Sequence, residues 1–193
     1  MAILPCTEDA LACAEKLLKT CRSRDPVRLC EALHIHLVIR QDLKVQRAAS
    51  ALVLRQGVII LNGHESEENR RILILHEIGH LLMHRAYYRN SQAWILRHPL
   101  FQVTDQLEYE ANLFAARFLI DPVQMEEMMR EGYANAQIAA AFSVPVEMVE
   151  ILQTACMRLG RMETSSRGLL PQPSSDFLGK PAPGTPWDEA DVP

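Results

Sequence analysis

No stretch of this 193-residue sequence approaches the ~20 consecutive apolar residues that span a bilayer; the longest apolar stretches are short and broken by charge. Nor does Met1 to Thr20 contain a signal-peptide core, because Glu8, Asp9, Glu15, Lys16 and Lys19 interrupt its apolar positions. A soluble, cytoplasmic protein is the expectation. Positive charge is not in excess either: 20 Lys+Arg against 24 Asp+Glu give a formal charge of −4. No broad basic surface is left to neutralise phosphates, which argues against nucleic acid as the main partner. The five cysteines (Cys6, Cys13, Cys21, Cys30 and Cys156) are odd in number and contain no CxxC pair, so neither a disulfide framework nor a thiolate zinc site is indicated. They are expected to be reduced and to behave as small hydrophobes. No internal repeat is present.

What remains is an ordinary globular composition, 48% apolar and 23% charged, long enough for one domain with a terminal extension. Leu11, Ala14, Leu17 and Leu18 fall at helical spacing, and Asp25-Pro26 reads as a cap followed by proline in the first helical position. Residues 35–39, 51–54 and 58–61 read as strands, with Gln56-Gly57 turning the chain and Asn62-Gly63 stopping it. The expected fold class is α+β: a small antiparallel three-stranded sheet on a mostly helical core. Further helices are expected near 122–130, 136–141 and 145–159, the first opened by Asp121-Pro122.

Ser66 can cap a helix whose first turn holds Glu67 and Glu68, favourably placed against the helix dipole. From Ile72 to Met83 this helix is apolar nearly all round, so it must be buried, and its polar interruptions His76, Glu77 and His80 need partners. His76-Glu77-Ile78-Gly79-His80 is an HExxH sequence in a helical context, where the motif has mechanical meaning. Four residues of helix bring the imidazoles round by about 40° and separate them by ~6 Å, so both reach one ion. Glu77 falls beside them, placed to act as general base on a water that the ion has acidified. A solvated surface helix with a chance HExxH is the bland alternative; burial among Ile74, Leu75, Ile78, Leu81 and Leu82 argues against it.

A catalytic zinc takes three protein ligands and keeps one position open. His84 lies ~12 Å beyond His76 along a continuous helix and reads as a helix-end histidine. Glu108 and Glu110 lie on a second helix starting near Asp105 or Gln106, on different faces, so one of them reaches the ion. Glu108 is the first choice and Glu110 the second. Asn112, one turn beyond Glu108, can hydrogen-bond a ligand. Against this, Asp105 could make Glu108 a capping-box residue.

Gly57-Val58-Ile59-Ile60-Leu61-Asn62, His76 through His84 and the ExEANxFAA stretch from Glu108 to Ala116 together resemble the ImmA/IrrE family of metallopeptidases over roughly residues 25–155. The resemblance implies a gluzincin-like site with His76, His80 and Glu108 on Zn2+ and Glu77 as base. It also implies a protein substrate, a helix-turn-helix transcriptional repressor whose cleavage releases its genes. Where the family continues into a leucine-rich segment ending in Met-Pro, this chain has Arg117-Phe118-Leu119-Ile120-Asp121-Pro122, a mild change that leaves the metal residues untouched. No separate N-terminal helix-turn-helix is read, so the repressor is expected to be another polypeptide. The expected organisation is a metallopeptidase domain over 1–160, with an active-site helix at about 66–85, a third-ligand helix at about 106–120 and a helical hairpin at about 135–159. A disordered Pro/Ser-rich tail is expected over 161–193.

Two other function classes compete. Gln137 to Val149 has the pattern of a helix-turn-helix, which would make the chain a DNA-binding protein, but Glu147 and Glu150 near the start of its second helix would repel phosphates. A metal-binding regulator without catalysis is the other, which the presence of Glu77 disfavours. His98, Tyr87 and Tyr88 are candidate oxyanion donors.

Overall fold

The computed structural model describes residues 7–162 apart from 22, 44–46, 55 and 85–104. Seven helices and three strands are described, in the order α1 (Thr7–Thr20), α2 (Pro26–Ala32), β1 (His36–Arg40), β2 (Ala48–Val53), β3 (Gln56–Asn62), α3 (Glu67–Met83), α4 (Asp105–Leu119), α5 (Pro122–Arg130), α6 (Asn135–Phe142) and α7 (Val146–Arg158). The α+β class is as expected. The expected tail lies outside the described residues from 163 onward.

Helix starts follow local chemistry. The Asp25 and Asp121 carboxylates each accept from the backbone N–H two residues on, at 2.9 Å, ahead of a proline whose missing N–H costs the helix nothing. Ser66 accepts from the Asn69 N–H at 3.2 Å and opens α3.

The sheet has the order β1-β3-β2 and is mixed, not purely antiparallel. β2 runs antiparallel to β3, with Ser50 opposite Ile59, while β1 runs parallel to β3, with Leu37 opposite Ile59. The reason is that Arg40 and Ala48 stand on opposite sides of the same end of β3, two strand spacings or ~10 Å apart, with no tight-turn sequence between them. Asn62 ties that end down: its amide donates to the Leu43 carbonyl at 3.1 Å, and the Gly63 N–H donates to the Arg40 carbonyl at 2.7 Å. The β2–β3 turn also comes earlier than expected, around Leu54 (φ 50°), leaving Gln56 and Gly57 inside β3.

Alternation along the paired strands puts Ser50, Leu37, Gly57, Ile59 and Leu61 on one face of the sheet. α3 packs against β2 and β3, and a Cβ on Gly57 would lie 3.0 Å from Leu81 Cδ1, so glycine lets the helix come close. On its other side α3 meets α4, where a Cβ on Gly79 would lie 3.1 Å from Phe114 Cδ1 and 3.4 Å from Ala111 Cα. α1 and α7 cover the rest of α4. The result is that α3 is buried continuously from Ile72 to Leu81, and the HExxH residues sit between the sheet and α4.

Candidate metal centre and active site

One turn of α3 separates His76 from His80, and their rings meet edge-on with centroids 4.6 Å apart. Their Nε2 atoms face each other at 3.0 Å. From α4, Glu108 reaches both: Oε2 lies 3.2 Å from His76 Nε2 and Oε1 lies 3.3 Å from His80 Nε2. The ligand atoms of His76, His80 and Glu108 all lie within 4.8 Å of one another. A tetrahedron with arms of ~2.0–2.1 Å has edges of roughly 3.3 Å, so these separations match one face of a four-coordinate site.

The far side of each ring is also held. His76 Nδ1 lies 2.8 Å from Asn112 Oδ1, a carbonyl oxygen that accepts its proton, so His76 Nε2 carries a lone pair toward the cluster. His80 Nδ1 lies 3.0 Å from Nδ1 of His84. His84 Nε2 in turn donates to Glu110 Oε2 at 2.9 Å. Glu110, the second choice for third ligand, therefore faces His84 and lies outside the ligand group. His84 does sit at the C-cap of α3, but it is buried and bonded at both ring nitrogens.

Glu77 is 4% exposed, and Oε2 of its carboxylate accepts from the Ser50 hydroxyl of β2. Sequence reasoning did not single out Ser50. The available signal was a hydroxyl flanked by Ala49 and Ala51, a polar group that burial obliges to find a partner.

Electrostatics follow from this packing. Burial pushes the Glu108 carboxyl up, but the imidazoles of His76 and His80 beside it outweigh burial and hold the group below the usual carboxylate range. For His76 burial works downward and loses to Glu108, so its pKa is raised; for His80 burial dominates and the pKa is lowered. His84 is likewise lowered, by burial against the pull of Glu110. Two imidazole nitrogens and a carboxylate oxygen converging in a buried place are a donor set that fits a divalent transition-metal ion.

His98, Tyr87 and Tyr88 lie outside the described residues. The helix-turn-helix pattern corresponds to α6 and α7, which bend by 108° around Ser143. Ile138, Val149, Ile151 and Leu152 are buried in the core cluster, and α7 packs against α4. Among the described residues no single helix is long and apolar enough to cross a membrane.

A helix carrying two imidazoles and a buried glutamate, closed by a carboxylate from a neighbouring helix, is the arrangement of an HExxH metallopeptidase. The sequence bears this out at family level: the chain belongs to the M78 peptidase family, whose IrrE N-terminal-like domain profile matches residues 30–151. It is also similar to an uncharacterised immunity region protein 2 of Bacillus phage phi105, with 23% identity over 140 residues, covering 72% of this chain and 86% of that protein.

Proposed function

We propose that this chain is a zinc-dependent endopeptidase that cleaves a helix-turn-helix transcriptional repressor and so derepresses its genes. The observation that carries the hydrolytic reading is the convergence of His76, His80 and Glu108 within 4.8 Å beside the buried Glu77. Zinc suits this nitrogen-and-oxygen donor set, and when bound it supplies Lewis acidity, acidifying a water and polarising the scissile carbonyl. The chain's own residues do the rest. Asn112 keeps the His76 lone pair turned toward the cluster, and Glu108 balances positive charge there. Glu77 takes a proton from the attacking water on a carboxylate oxygen and passes it to the leaving amine nitrogen. Ser50, on the other side of that carboxylate, holds it in one orientation.

Support for a repressor substrate is the likeness to a protein named for a phage immunity region, together with the ImmA/IrrE resemblance of the motifs. Such a substrate places the enzyme in the cytoplasm. Direct contact with nucleic acid is not part of this reading, since the α6–α7 pair spends its apolar face on the core and carries Glu147 and Glu150 at the start of its second helix. The test is to co-express the chain with a repressor encoded beside its gene. A zinc-dependent fragment is expected, and it disappears in Glu77→Gln although that variant still binds zinc. Unchanged cleavage by Glu77→Gln would refute the assigned base.

A further inference from the structure

The hydrolytic steps leave two buried polar residues beside the cluster unused, His84 and Glu110. His84 stands at the C-terminal end of α3 and Glu110 on α4, and they meet through His84 Nε2 and Glu110 Oε2 at 2.9 Å. An ionised carboxylate only accepts, so the proton between them sits on His84 Nε2. Neutral His84 then has its lone pair on Nδ1, which lies 3.0 Å from His80 Nδ1. The proton in that second gap therefore sits on His80 Nδ1. His80 Nε2 is left with a lone pair, aimed at the place where His76 Nε2 and Glu108 also point. Gln106 completes the chain by donating from Nε2 to the other oxygen of Glu110 at 3.2 Å, which fixes the carboxylate in its plane.

We propose that Glu110 and His84 act as a positioning relay that sets the tautomer of His80 and thereby the strength of the metal grip. This rests on the metal-site reading above. Its counterpart is Asn112, which does for His76 directly what Glu110 does for His80 through an intervening ring. Helix α4 then supplies a ligand, Glu108, and both of the groups that orient the imidazoles of α3, Asn112 and Glu110. A histidine that merely filled the end of α3 would need neither nitrogen in register with His80 and Glu110.

The test uses the full chain stripped of metal, with zinc affinity read by competition against a chromophoric chelator and ring-nitrogen protonation read by 15N NMR. His84→Leu is expected to weaken zinc by roughly 10–100-fold, the usual scale for removing a group that orients a ligand. His84→Asn places a carbonyl oxygen near the lost Nδ1 and recovers most of that affinity. Glu110→Leu weakens zinc as His84→Leu does, whereas Glu110→Gln keeps a carbonyl oxygen to accept from His84 and does not. In the metal-free wild type the His80 proton sits on Nδ1, and in both leucine variants it redistributes to Nε2. Wild-type affinity in both leucine variants, with the His80 proton still on Nδ1, overturns the relay and leaves the metal site standing. A wild-type chain that binds no zinc overturns the metal site itself, and the relay with it. If His84→Leu fails to fold, the two Glu110 variants read the same relay from its other end.

Discussion

The Ser50 hydroxyl of β2 donates to the Glu77 carboxylate of α3, joining the middle of a strand to the middle of the HExxH helix. Both residues are buried, so neither can exchange the other for water without opening the structure. Ser50→Ala leaves one oxygen of a buried carboxylate short of a donor, at a cost of about 1–3 kcal/mol. The expected result is a lower melting temperature and a kcat reduced roughly tenfold at unchanged zinc content. Ser50→Thr keeps the hydroxyl and should recover most of the rate. Loss of zinc in Ser50→Ala, measured by atomic absorption, would contradict a role confined to Glu77.

Gly79→Ala puts two effects in opposition. Alanine favours a helix interior over glycine by about 1 kcal/mol. Its Cβ, however, would lie 3.1 Å from Phe114 Cδ1 and 3.4 Å from Ala111 Cα, and Phe114 is fully buried. Overpacking of this kind costs about 1–3 kcal/mol, so destabilisation should win. Because Glu108 rides on α4, the variant should also bind zinc more weakly, which thermal melts and chelator competition can follow separately.

Zinc affinity should depend on pH through His76 first. In the metal-free protein its pKa is raised above the ordinary 6.5 because the Glu108 carboxylate outweighs burial. A raised group stabilises the fold below its unfolded pKa, and that contribution is lost as pH rises through the folded value. Glu108 is depressed, so its contribution is present above the ordinary 4.5 and lost as pH falls through the folded value. Zinc must displace the His76 proton, so affinity falls on acidification, starting above pH 6.5. The expected slope is about tenfold per pH unit, one proton, while His80, lowered by burial, joins only at lower pH. A slope of two protons from the outset would mean both rings titrate together. Removing zinc at neutral pH should lower the melting temperature, since a ligand bound only by the folded chain stabilises it.

Cys30 should resist alkylation. Burial first, then the charges of Asp25 and Glu31, push its thiol up to about 11, so little thiolate exists at neutral pH. Iodoacetamide at pH 7.5 is expected to label Cys30 only after denaturation, as peptide mapping would reveal. Prompt labelling of the folded chain would mean that α2 opens readily.

Local signals were legible wherever a few adjacent residues decide the outcome. Asp25-Pro26, Ser66 and Asp121-Pro122 each start a helix by bonding to a backbone N–H two or three residues away, and that chemistry can be read without knowing the fold. The sense of β1 was not, because parallel pairing with β3 depends on how the chain crosses the sheet end and on Asn62 catching the Leu43 carbonyl. The turn at Leu54 was misplaced for a related reason: Gly57 looks like a turn residue, but its lack of a side chain serves the contact with Leu81.

The sequence by itself determined the spacing of His76, Glu77 and His80, since helical geometry turns four residues into one face whatever surrounds them. Tertiary structure alone turned Glu110 to His84 and brought Ser50 to Glu77 across 27 residues of chain, and it supplied the contacts of Glu108 and Asn112 with the imidazoles for which the motif had only nominated the residues. The physical reason is that a helix repeat sets directions only within its own length. Partners on separate elements are chosen by how closely those elements pack, and here that closeness depends on glycines at 57 and 79.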